Sequence, residues 1–124
     1  MTLQELYQLI DGDYDQALRV LRVEKLMDKH IRKLPKNGVV DSLIEAGKTM
    51  DPEKLFETSH AAKGVCGNLG LTRLAEAASE ISEEFRPRNP RKFSDAEVTD
   101  KLQRIAELYE KTKDGISRYE GTAE

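Results

Sequence analysis

His60-Ala61-Ala62-Lys63-Gly64-Val65-Cys66-Gly67-Asn68-Leu69-Gly70 reads as one amphipathic helix with an unusual polar face. Each glycine inside a helix costs roughly 1 kcal/mol relative to alanine, so two of them close behind a histidine need a reason. At ~100° per residue, positions i, i+3, i+4 and i+7 share a face. Counted from His60, that face carries Lys63, Gly64 and Gly67. An imidazole and an ammonium therefore stand on a strip cleared of bulk, where a second protein surface could approach. Leu55, Ala62 and Leu69 fall within about 40° of the opposite direction, flanked by Thr58, Val65 and Cys66. The core-facing stripe points away from His60, which is expected to be exposed. Phe56, one turn earlier, is expected as a partly exposed apolar neighbour.

Outward from this helix the punctuation is dense. Asp51-Pro52 is a strong start, an acceptor at N-cap with proline at N1, and Gly70 is a good stop. Upstream, Thr2 with Glu5 makes a capping box for a short helix ended by Asp11-Gly12. Asp13 caps the next segment, with Tyr14, Ala17, Leu18 and Leu21 inward, and Leu26, Met27, Ile31 and Leu34 continue it to Pro35. Asn37-Gly38 signals a turn, and Val39, Val40, Leu43, Ile44 and Met50 belong to a short helix after it. Downstream, Thr72 opens a helix with Leu74, Ala75, Ala78, Ile81 and Phe85 inward. The basic stretch from Arg86 through Arg88 and Arg91 to Lys92 contains Pro87 and Pro90 and reads as a solvated loop. Ser94 with Glu97 caps a last helix over about 95–119, with Val98, Leu102, Ile105, Leu108, Tyr109 and Ile116 as its stripe. No segment alternates like a strand. The expected fold is all-α: an antiparallel up-down four-helix bundle with one or two short extra N-terminal helices. A single domain over 1–120 and a frayed tail over 121–124 complete it.

Composition bounds the function. A length of 124 residues makes one modest core. The net charge of −3 calls for neither nucleic acid nor an anionic membrane as main partner. No apolar run is long enough to span a bilayer. Cys66 is the single cysteine and reads as a small buried hydrophobe in a reducing cytoplasm. Two histidines far apart and one cysteine do not make a metal site, and His30 reads as an ordinary surface or core residue.

His60-x-x-Lys63-Gly64, then Gly67-Asn68-Leu69-Gly70 and Leu71-x-x-Leu74, resembles the signature of the histidine phosphotransfer (HPt) domain. The run Gly12-Asp13-Tyr14-x-x-Ala17-Leu18-Arg19 is similar to the N-terminal part of many bacterial members. Together the likeness spans roughly residues 6–115. One departure is visible: members often place a glycine followed by a small polar residue where this chain has Arg22-Val23, so the second helix is expected to run on. The resemblance implies a phosphoryl carrier of two-component phosphorelays, with His60 as phosphoacceptor and Lys63 beside the phosphate. Gly64 and Gly67 would admit a receiver domain, with Phe56 in the apolar part of the docking surface. It implies receiver domains or a hybrid histidine kinase as partners.

The residues suit that chemistry. A neutral imidazole keeps a free nitrogen lone pair. Phosphoryl transfer depends mainly on positioning and charge neutralisation, and Lys63 supplies one charge a turn away. The chain has no phosphate-binding glycine loop and no carboxylate cluster for magnesium. It is therefore expected to be a carrier and not an enzyme, without a cofactor of its own, with Mg²⁺ on the partner receiver, and monomeric. Two rivals stand beside this: a phosphoacceptor served in trans by a histidine kinase, and an adaptor that binds a receiver without transfer.

Overall fold

A computed structural model describes residues 1–122. Among them are seven helices and no strand: α1 (Leu3–Leu9), α2 (Tyr14–Leu21), α3 (Glu24–Asn37), α4 (Val39–Ala46), α5 (Pro52–Asn68), α6 (Thr72–Phe85) and α7 (Asp95–Thr122). The local rules account for most boundaries. Thr2 and Glu5 form the reciprocal capping box of α1. Ser94 and Glu97 do the same for α7. Asp51 accepts from the Glu53 N–H with Pro52 in the first turn of α5. Gly70, at φ +70°, closes α5, and the Leu71 N–H reaches back to the Cys66 carbonyl at 2.9 Å.

The helices share one core. α5 packs most extensively on α6 and also on α4, while α7 runs past α1, α3, α4 and α6. Leu6, Ile31, Leu34, Leu43, Leu55, Ile81, Ile105 and Ile116 are fully buried. Polar ties fix the register. The Tyr7 hydroxyl donates to the Leu69 carbonyl at 2.8 Å, Tyr109 to Asp41 at 3.2 Å and Tyr119 to Asp28 at 2.5 Å. Tyr7 and Tyr109 have their phenol pKa raised by burial first, Tyr109 to about 12.

Five expectations are corrected. The segment after Asp13 does not run on: it breaks at Arg22, which takes φ +77°, with Val23 extended. The two halves have different destinations. The Asp13 N–H bonds the Gly70 carbonyl at 2.7 Å and ties α2 to the end of α5. Asp28 and Arg32 on α3 meet Tyr119 and Glu120 on α7. Leu26, expected inward, is consequently exposed beside Val20 and Val23. The third helix also passes Pro35 and ends at Asn37, because a proline φ is itself helical and only one N–H is lost. Met50 lies outside α4, in a turn at φ +56°. α7 is helical to Thr122, past the expected end near 119, so it is about 42 Å long at ~1.5 Å per residue. Ala123 and Glu124, the end of the expected tail, lie outside the described residues.

The basic loop after α6 is more than a solvated connector. The Glu84 side chain, 1% exposed, accepts from Arg91 Nε at 2.7 Å and from the N–H groups of Lys92 and Phe93 at 3.1 and 2.9 Å. Burial alone would raise the Glu84 pKa, but these donors outweigh it and hold the carboxyl below its usual range. A carboxylate with a lowered folded pKa stabilises above its unfolded pKa, and that stability disappears as pH falls through the folded value. Glu84→Gln should therefore cost about 1–3 kcal/mol at neutral pH. Its deficit against wild type should shrink below about pH 4. Urea unfolding at pH 7 and pH 3 checks both parts; an equal deficit at the two pH values would rule out the charged role.

Candidate phosphoacceptor site

The site is built on the middle of α5. Leu55, Ser59, Ala62 and Cys66 are buried on its inner face, with Leu69 just beyond its end. Ser59, next to His60, satisfies its hydroxyl within the helix by donating to the Leu55 carbonyl at 2.5 Å. Burial raises the Cys66 thiol pKa to about 12, which makes it an inert part of the core. With that face inward, His60 is left exposed, Lys63 half-buried, Gly64 exposed and Gly67 half-buried.

Nothing inside the protein requires those two glycines. A Cβ added at Gly64 or Gly67 would meet no atom within 4 Å. The contrast is Gly115, where an added Cβ would lie 2.4 Å from Ile10. The bare strip beside His60 is thus a surface feature and not a packing device.

Phe56 is half-buried, and its ring stacks on the His60 imidazole with centres 5.7 Å apart and planes at 28°. The Arg86 guanidinium also lies 5.6 Å from the centre of that ring. Arg86 in turn is held by Glu83, through Nη2 at 2.7 Å and Nε at 3.2 Å to one carboxylate oxygen. Glu83 is kept below its usual pKa, first by these hydrogen bonds and further by the charges of Arg86 and Lys63. The helix periodicity that isolates His60, Lys63, Phe56 and the glycines describes α5 alone. Glu83 and Arg86 come to the same patch only because α6 folds back on α5, and no spacing in the chain signals it.

The site is an open surface. A groove of 630 Å³ between α6 and the following loop, lined by Glu76, Glu80, Glu83 and Phe93 among others, does not include His60. Among the described residues no group of three or more His, Cys, Asp or Glu side chains is placed to hold a metal ion. Among the described residues no helix is long and apolar enough to cross a membrane. His30 lies exposed on α3.

No curated relative matched the chain, and no solved structure did. The family model of the Hpt domain, a carrier module of histidine phosphotransfer in phosphorelays, matches residues 2–115, and the chain belongs to the Hpt domain family.

Proposed function

We propose that the protein relays a phosphoryl group between receiver-domain aspartates through a phosphohistidine at His60. One observation carries this most directly: an exposed imidazole sits on a strip where two glycines leave space that nothing in the protein fills. In the transfer, an imidazole nitrogen of His60 gives its electron pair to phosphorus. The P–O bond to the receiver's aspartyl carboxylate breaks, and its pair stays on the carboxylate. The other ring nitrogen keeps its proton during that step. Return of the group to a second aspartate reverses the bonds. Lys63 neutralises part of the phosphoryl charge from one turn away, and Phe56 limits the rotation of the imidazole it stacks on. Mg²⁺ belongs to the receiver, and the chain itself acts as carrier and not as catalyst. The supporting frame in this proposal is an antiparallel up-down four-helix bundle with one or two short extra N-terminal helices. The same proposal has one domain over residues 1–120, acting as a monomer in the cytoplasm.

The test is transfer from a phosphorylated receiver domain with Mg²⁺. Wild-type protein should gain an acid-labile, base-stable phosphate that His60→Gln lacks. Binding of a receiver without any transfer would favour an adaptor instead. Gly67→Leu separates docking from chemistry. It should take phosphate normally from phosphoramidate, a small donor. Transfer from a receiver should slow by at least ~100-fold, the scale of an ångström's misplacement. Equal slowing with both donors would mean that the glycine serves the fold and not the approach of a partner.

A further inference from the structure

Glu83 has no part in the transfer just described, yet it sits among the charges that transfer uses. It lies on α6, is about half exposed, and holds Arg86 through two donors on one oxygen. The guanidinium it holds rests against the Phe56 ring, and that ring is stacked on His60. Asn89 donates to the Glu83 backbone carbonyl at 3.1 Å, which fixes the chain around Arg86. Glu83, Arg86, Phe56 and His60 therefore make one continuous patch, with Lys63 one turn along α5 from His60.

A phosphoryl group on His60 brings about two negative charges into this patch. Arginine is suited to phosphate because its planar fork can offer two parallel donors. An unengaged arginine would hold the group firmly, which does not suit a carrier that must release it. A carboxylate already seated on that arginine lowers the grip.

We propose that Glu83 is a positioning residue of the phosphoryl site: it holds Arg86 beside Phe56 while His60 is unmodified, and it competes with the phosphoryl group for Arg86 once His60 is loaded. The inference rests on His60 being the phosphoacceptor. Arg86 is then a second cation for the phosphate, and Glu83 keeps the loaded state short-lived enough to pass its group on.

The experiment loads the full chain with phosphoramidate, whose P–N bond breaks with release of ammonia. Loss of phosphohistidine to water is then followed by phosphorus NMR. Wild type, Glu83→Gln, Glu83→Asp, Arg86→Gln and the double variant Glu83→Gln with Arg86→Gln are compared. Glu83→Gln should lengthen the lifetime by about two- to fivefold, the scale of one exposed ion pair. Glu83→Asp should stay near wild type. In the Arg86→Gln background the effect of Glu83→Gln should fall, because the cation that Glu83 holds is gone. The Arg86 side-chain N–H signal should move on loading in wild type, which a merely structural residue would not produce. A wild-type lifetime in Glu83→Gln, or an Arg86 signal unmoved by loading, would overturn the proposal while leaving the carrier intact. Wild type that takes no phosphate on His60 would remove the carrier and this inference together.

Discussion

His60→Gln should accept no phosphate from any donor and should melt within a few degrees of wild type. The two halves of this result have separate causes. Uptake ends because the glutamine amide nitrogen has no available lone pair to give to phosphorus. Stability persists because the His60 side chain is exposed and so has little burial to lose. What is lost is the stacking on Phe56, about 0.5–1.5 kcal/mol for an aromatic pair at most. For a domain of this size that is a change of up to about 6 °C. Thermal melting and phosphorus NMR on the same samples check both halves. A collapse of the melting temperature would mean that the imidazole faces the core. Phosphate retained in the variant would mean that another residue is the acceptor. His30 is the other histidine in the chain.

The legible parts of the fold are those set by neighbours in sequence. Caps at Thr2, Asp51 and Ser94, the stop at Gly70 and the facing of α5 all follow from spacing, and the structure has them. Errors arise where two distant contacts compete. Nothing local marks Arg22 as a break. It takes a left-handed φ because α2 is tied to Gly70 while α3 is tied to α7, which offsets the ~1–2 kcal/mol that such a backbone costs a non-glycine residue. Leu26 is misjudged for the same reason, since its expected facing assumed a continuous helix. At the site, the α5 residues were legible from a single helix face. Glu83 and Arg86 were not, because their place depends on how α6 lies against α5 and because a Glu–Arg pair three residues apart looks like any solvated helix pair.

Gly70→Ala should be among the most damaging single-methyl changes in this protein, whereas Gly64→Ala and Gly67→Ala should stabilise it. All three add the same atom, so the sign is decided by surroundings. At Gly70 the backbone has φ +70°, where an L-residue pays about 1–2 kcal/mol. The new Cβ would also lie 2.2 Å from the Asp13 carbonyl oxygen and 3.2 Å from the Ala17 Cβ. Backbone cannot rotate away as a side chain can. Relief would require moving Asp13, whose N–H bonds the Gly70 carbonyl, and with it the start of α2. Overpacking of this kind adds about 1–3 kcal/mol, so the total loss should reach about 2–5 kcal/mol. That corresponds to a fall of roughly 10–20 °C in melting temperature. At Gly64 and Gly67 the backbone is helical and an added Cβ meets nothing within 4 Å. Each alanine there should gain up to about 1 kcal/mol from helix propensity. Melting curves of the three variants settle it. If Gly64→Ala or Gly67→Ala lowered stability, those glycines would serve an internal contact, and the open strip beside His60 would lose its meaning as a partner's landing place. If both stabilise, the fold forgoes up to about 2 kcal/mol to keep that strip bare, and the reason must lie outside the chain, in whatever approaches His60.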